Sequence, residues 1–263
     1  MSSNTRLKLT SNGELKMIRK SFNPAPLGLM GFGITTILLN LMNIGLLHSD
    51  AMGMILPMGL FYGGVAQIIA GFFEAKQGNT FGATAFTSYG LFWFSFVAIN
   101  MLPQMGLSDP VSSTAIGLYL SLWGIFTVLM SLATLKANKA LQTVFISLTT
   151  LLFILAIGDL TGIEVITRIG GYVGVFCGSS AVYLAIAEIL NETYERVILP
   201  IGDKKPSIER EQLQIPLQRS LFQINSQAVE INCFIIPSTR AVYTVCYNRN
   251  LDRCVRFRKF RGS

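Results

Sequence analysis

The sequence predicts an all-α polytopic membrane protein: a bundle of six transmembrane helices around a central pore, followed by a disordered basic C-terminal tail. Three observations predict it. Six stretches carry no formally charged residue: Leu27 to Leu47, Ala51 to Phe73, Phe81 to Leu102, Val111 to Leu135, Ala140 to Ile157 and Ile169 to Ala187. A hydrocarbon core about 30 Å thick is crossed by roughly 20 apolar residues in a helix, and each run reaches or approaches that length. The chain has 263 residues, of which only 13% are charged and 51% hydrophobic; a soluble domain carries about 25% charge. Lys and Arg also alternate between loops, as the orientation rule for short loops requires. Six spans with little between them leave no room for a soluble catalytic domain, so the function is placed within the membrane.

The elements follow in order. Residues 1–22 form an N-terminal arm with Arg6, Lys8, Lys16, Arg19 and Lys20. The arm lacks an apolar h-region and is not expected to be a cleavable signal. Basic residues recur at Lys76 in the second loop, at Lys136 and Lys139 in the fourth, and at Arg196 after the last span. The first and third loops have none, and the fifth has only Arg168. Both termini are therefore expected in the cytoplasm, with the protein in the inner (plasma) membrane. Residues 23–202 form the six-helix domain and 203–263 a cytoplasmic tail. The net charge of +7 arises entirely in residues 204–263, because the first 203 residues balance. Its cysteines, Cys233, Cys246 and Cys254, fit no common zinc spacing, and no metal or other cofactor is expected. The stretch from Arg253 to Arg261 interleaves Phe257 and Phe260 with basic residues. It either lies on anionic lipid or is an unstructured appendage. Nothing in it matches a nucleic-acid module.

Glycines punctuate the spans. Gly59 and Gly63 form one GxxxG, and Gly170, Gly174 and Gly178 a double one. Such strips let helix backbones approach closely, either inside the bundle or against a neighbouring subunit. Pro57 removes a backbone hydrogen bond from span two and predicts a kink. At the start of span one stands Asn23-Pro24-Ala25-Pro26-Leu27-Gly28-Leu29. Its prolines fix an extended entry, Pro26 suits the first helical position, and the N–H groups of Leu27 to Leu29 are expected to face the cytoplasmic mouth, where a helix start attracts anions. An aquaporin needs two Asn-Pro-Ala copies on paired half-helices, and this chain has one, ahead of a full span.

The longer motif, continuing through Met30-Gly31-Phe32-Gly33-Ile34-Thr35-Thr36, resembles the acetate uptake transporter family, and within it the bacterial succinate–acetate permeases. Phe61 to Gln67 (FYGGVAQ), Gly78 to Gly90 (GNTFGATAFTSYG) and Leu199-Pro200-Ile201-Gly202 agree with it. The resemblance implies six helices around a pore in each subunit and a hexameric ring of subunits. It implies import of a small monocarboxylate or dicarboxylate, acetate and in part succinate, with protons. It also implies a constriction of Phe32, Tyr89 and Leu148. Two features depart from the family: about two extra residues around His48 to Met52, and the tail beyond Lys204.

The chemistry is constrained by what the spans lack. No uncharged run contains Lys or Arg, so a carboxylate must be held by hydroxyls, amides or helix ends, weak donors that also release it. Asn40, Gln67, Thr84, Thr87 and Ser88 are the binding candidates, with Thr35, Thr36 and Asn43 beside them. The competing reading of the hydroxyls is back-bonding to the preceding turn, and of the amides, bonding between helices. The constriction that the resemblance implies would make Phe32 and Leu148 an apolar neck, with Tyr89 adding a hydroxyl. Glu188, near the end of span six, is the proton-coupling candidate; Glu74, Asp50 and Glu192 read as solvated end residues, and His48 as external. The runs contain no Asp and no His, which excludes an intramembrane enzyme with paired catalytic groups. A passive anion channel of the same shape, an ammonium exporter and a non-transporting sensor or scaffold are the alternatives.

Overall fold

The structure is a computed structural model, and it describes residues 5–9, 15–19, 22–202, 231–238, 241–248 and 253–259. Among these, six helices are long and apolar enough to cross a membrane: α1 (Ala25–Asn43), α2 (Ser49–Lys76), α3 (Thr80–Gln104), α4 (Ser113–Thr134), α5 (Lys139–Thr161) and α6 (Glu164–Thr193). Each uncharged run maps to one of these helices, but the bounds differ. α1 stops at Asn43, short of Leu47, and α4 covers only Ser113–Thr134 of its run. α5 and α6 outrun theirs, α5 by taking in Asp159 and α6 by taking in Glu164, Arg168 and Glu188. Capping groups rather than charges set the ends. The side chains of Asn79, Ser112 and Asn138 accept from Gly82, Ala115 and Leu141 N–H at the starts of α3, α4 and α5. Gly162 closes α5 at φ +69, a left-handed stop natural to glycine.

Pro57 produces a change of winding. After an α-helical stretch Met52–Met58, α2 runs as a π-helix over Gly59–Ala66 and returns to α-helix at Gln67–Lys76. The proline lacks an N–H, and wider winding downstream is one of the adjustments that accommodates it.

The glycine strips are used within the chain. A Cβ on Gly33 would sit 2.7 Å from the Gly178 carbonyl oxygen, and one on Gly178 would sit 2.6 Å from that of Gly33. The α1 and α6 backbones thus meet reciprocally. Gly174 of α6 seats the Asn40 side chain of α1. Gly31 of α1 faces the Tyr62 carbonyl of α2, while Gly59 and Gly63 of α2 lie under the Trp93 ring of α3. Together with the α4–α5 and α5–α6 contacts, these crossings close most of a ring. The α3–α4 joint is made by side chains: Tyr89 to Thr127, Ser95 to Tyr119, and Phe92 stacked on Tyr119 with centroids 5.7 Å apart. Leucines and phenylalanines such as Phe61, Leu122 and Leu129 cover the outside, as a lipid-facing surface requires.

The Leu199-Pro200-Ile201-Gly202 motif folds back onto the bundle. Its last two carbonyls accept the Ala140 and Lys139 N–H groups at the start of α5, at 3.0 and 3.1 Å. Asn191 of α6 holds it by accepting from Ile198 and Leu199 N–H and donating to the Leu199 carbonyl.

The chain divides into two units, Met1–Lys204 and Lys205–Ser263. In the first, β1 (Thr5–Leu9) and β2 (Leu15–Arg19) pair antiparallel ahead of α1. In the second, β3 (Ile231–Ser238), β4 (Ala241–Asn248) and β5 (Arg253–Lys259) pair in order as an antiparallel meander, with Cys233 in register with Cys246. The disorder expected of the tail falls mostly outside the described residues. Where the backbone is described it is extended and paired, in segments rich in β-branched and aromatic residues.

Candidate functional site

The bundle encloses two cavities with a shared wall. The wider, about 220 Å³, lies toward the face opposite Asn23 and Gly202. The narrower, about 40 Å³, lies toward the face that carries them. Phe32 and Leu148 line both, which places them at the partition. Each lining stripe has the helical spacing of three and four residues: Leu29, Phe32, Thr36 and Asn40 on α1; Ala85, Tyr89, Phe92 and Phe96 on α3; Val144, Leu148, Leu152, Leu155 and Asp159 on α5.

The structure brings Phe32, Tyr89 and Leu148 together in one buried cluster. The Phe32 and Tyr89 ring centroids are 6.2 Å apart. Phe126, Phe145 and Trp123 surround Tyr89 at 5.6, 6.2 and 6.2 Å. The Tyr89 hydroxyl does not point free into the neck. It donates to Thr127 Oγ1 at 3.0 Å, and Thr127 donates onward to the Trp123 carbonyl at 2.7 Å. Thr127 therefore sets the tyrosine's orientation, and the sequence analysis did not single it out. It is a hydroxyl in an otherwise apolar stretch of helix, and its complete burial shows only in the fold.

The amide candidates line the cavities, one on each side of the neck. Asn40 lines the wide cavity with Thr36 and Asn43; it donates to the Thr36 carbonyl at 2.8 Å and accepts from Asn43 at 3.1 Å. Gln67 lines the narrow one, and its amide nitrogen donates to the Gly63 carbonyl at 2.6 Å within the π-helical stretch. Thr35 back-bonds to the Gly31 carbonyl. Thr84, Thr87 and Ser88 are not among the lining residues of either cavity. At 3.6 residues per turn, Thr87 projects nearly opposite the stripe of Ala85 and Tyr89 and packs on Gly71 of α2. Thr84 is exposed on the outer surface.

The start of α1 differs from expectation. Asn23 Oδ1 accepts from Ala25 N–H at 3.1 Å, and the Pro24 carbonyl accepts from Leu27 and Gly28 N–H at 3.1 and 3.4 Å. The N–H groups of Leu27 and Gly28 are thus partnered by the motif itself, and no anion is needed to satisfy them. Asn23, Pro26 and Leu27 line an open groove with Tyr62 and Glu192, away from the two cavities, and Gly28 lies against Phe86. Asn23 also donates to Glu188 Oε2 at 2.9 Å, so Glu188 anchors the motif and is absent from both cavity walls. Glu74 is buried rather than solvated and accepts from Asn79 at 2.7 Å. Asp159, beyond the fifth uncharged run, lines the wide cavity and was missed because the helix outlasts that run.

Comparison with known proteins agrees with this architecture. Residues 8–202 match the GPR1/FUN34/yaaH family. The chain is 56% identical to the succinate-acetate/proton symporter SatP of Escherichia coli, over 70% of this chain and 97% of the relative. It is 36% identical to the ammonia transport outward protein 2 of Saccharomyces cerevisiae, over 71% of this chain and 70% of the relative. The solved structure of the bacterial acetate channel SatP superposes with a TM-score of 0.68 at 56% identity, covering 70% of this chain and all of the other. These relatives are transporters and channels, not enzymes. By its matched residues and its six-helix fold, the chain belongs to the GPR1/FUN34/yaaH family.

Proposed function

We propose that the protein moves acetate, and to a lesser degree succinate, into the cell through the two cavities, with a proton accompanying the carboxylate. The observation that carries this reading is the partition at Phe32 and Leu148 between cavities lined by Asn40 on one side and Gln67 on the other. A small carboxylate titrates near 4–5, like a side-chain carboxyl, so near neutral pH it is an anion that hydrocarbon excludes. Amides and hydroxyls replace part of its hydration in the cavities, and an apolar neck opposes the leak of water and ions. Such a neck is passed more readily by the neutral acid, which favours joint movement of proton and anion. We place both termini in the cytoplasm of a cell whose inner membrane holds the protein, following the basic loops, and the hexameric ring follows the family resemblance.

A passive anion channel is the second reading, favoured by the absence of a charged side chain from the walls of the narrow cavity and the neck. Labelled-acetate uptake into proteoliposomes under a potassium–valinomycin potential separates the two. Proton-coupled uptake of one acetate with one proton moves no net charge, so its initial rate, after subtraction of protein-free vesicles, is independent of the sign of the potential. A channel for the bare anion speeds up when the interior is positive. The sensor or scaffold reading is tested by truncation after Gly202: full uptake without residues 203–263 removes the need for the tail.

A further inference from the structure

We propose that Asp159 is the proton-exchanging group of the transport cycle, an inference that rests on the carboxylate-transport reading above. Phe32 and Leu148 line the wide cavity where it meets the narrow one, and Asp159 stands in its wall on the stripe of α5 that carries Leu148. It is the one carboxylate lining either cavity among the described residues. Its side chain is half-buried, and it makes no hydrogen bond or ion pair with the described residues. A structural carboxylate in such a place would be paired, and this one is unpaired toward a cavity.

Among the described residues no cation lines this cavity. Around the cavity α1 contributes Asn40 and Asn43, α3 Asn100, α2 Met52 and α6 Thr167; α4 contributes Tyr119, the other titratable group in that wall. Arg168 and Glu164, on the first turns of α6, are exposed and bonded to each other at 2.6 Å. Asp50, on the first turn of α2, and His48, just ahead of it, are exposed.

An anionic cargo entering this cavity therefore meets a second carboxylate with no cation between them. Two carboxylates in a confined, weakly polar space do not both stay ionised, and they share one proton. Cargo entry thus requires one proton from solution. The O–H bond of protonated Asp159 breaks as an O–H bond forms on the acetate oxygen. Acetic acid crosses the neck neutral and loses its proton to water on the far side, and Asp159 takes a new proton from the wide-cavity side. Asn40, Asn43 and Thr36 hold the cargo while the proton moves.

Reconstituted wild type, Asp159→Asn and Asp159→Glu are compared by initial labelled-acetate uptake at equal pH on both sides, with potentials of about 60 mV of either sign. That potential corresponds to a tenfold ratio for one unit charge. Wild type and Asp159→Glu are expected to show rates independent of sign. Asp159→Asn is expected to be slower and to run several-fold faster with the interior positive, because the anion now passes without its proton. A purely structural role lowers the rate without creating dependence on potential. Asp159→Asn uptake that is independent of sign, or absent at both potentials, overturns the assignment while coupled transport by the wild type stands. A wild type that itself follows the potential overturns the coupling reading, and the assignment with it.

Discussion

Two kinds of contact hold Tyr89, and they fail differently. Its ring is fixed by Phe32, Phe126, Phe145 and Trp123, and its hydroxyl by Thr127. Tyr89→Phe removes one buried hydrogen bond and keeps the ring. It is expected to cost about 1 kcal/mol in stability and to leave acetate uptake within roughly twofold, because the donated proton goes to Thr127 and not to the cargo. Thermal unfolding in detergent and uptake on the same preparation check both parts. Tyr89→Ala removes the ring as well and is expected to join the two cavities, admitting larger dicarboxylates relative to acetate. At this scale the sequence was partly legible. Phe32 and Tyr89 lie in motifs that the family resemblance carries. Thr127 was not legible, because only the fold shows which of several span hydroxyls meets a tyrosine 38 residues away. That Thr84, Thr87 and Ser88 lie outside both cavity linings was not legible for a related reason. Pore-facing and lipid-facing sides of a membrane helix are both apolar, so nothing in composition says which side a hydroxyl occupies.

At the scale of elements, the helix crossings make a prediction of opposite signs for two glycines. Gly178→Val places a branched side chain where even a Cβ would lie 2.6 Å from the Gly33 carbonyl oxygen. The α1 and α6 backbones must part, and the expected loss is about 1–3 kcal/mol. Gly53, near the start of α2, has open space around its Cα. Gly53→Ala is expected to be neutral or to gain a few tenths of a kcal/mol, since alanine suits a helix better. Midpoints of thermal unfolding should therefore move apart, with Gly178→Val lowest. The Asn191 clasp yields a second prediction. Asn191→Ala removes three hydrogen bonds to Ile198 and Leu199, and protease should then cut between Tyr194 and Gly202 at least severalfold faster, by the cost of roughly 1 kcal/mol or more for lost polar contacts. The glycine spacing was readable as close packing, but its partner was not: a GxxxG strip fits a helix of the same chain and one of a neighbour equally well. Helix ends were read too short at Asp159 because an absence of charge marks hydrocarbon depth, whereas caps such as Asn138 and Gly162 mark where the helix itself begins and stops.

At the scale of the molecule, six apolar runs sufficed for the bundle because lipid leaves the backbone few choices: every buried N–H and C=O must be bonded within the segment. The pair of cavities was not legible in the same way. It depends on three residues spread from Phe32 to Leu148 meeting at one level, with a wide cavity on one side and a narrow one on the other. That convergence comes from the order of crossings, α1 held between α2 and α6 while α3 and α4 are joined through their aromatic side chains. The central claim is that acetate passes this neck. Its most direct measurement is labelled-acetate uptake by Phe32→Trp beside Phe61→Trp, with folding matched by detergent chromatography. Phe32 is buried in the neck at 7% exposure, and Phe61 faces outward at 67%. The account predicts a loss of roughly tenfold or more for Phe32→Trp, equivalent to about 1.4 kcal/mol on the barrier, and uptake near wild type for Phe61→Trp. Phe32→Trp protein that folds and takes up acetate as the wild type does would contradict it.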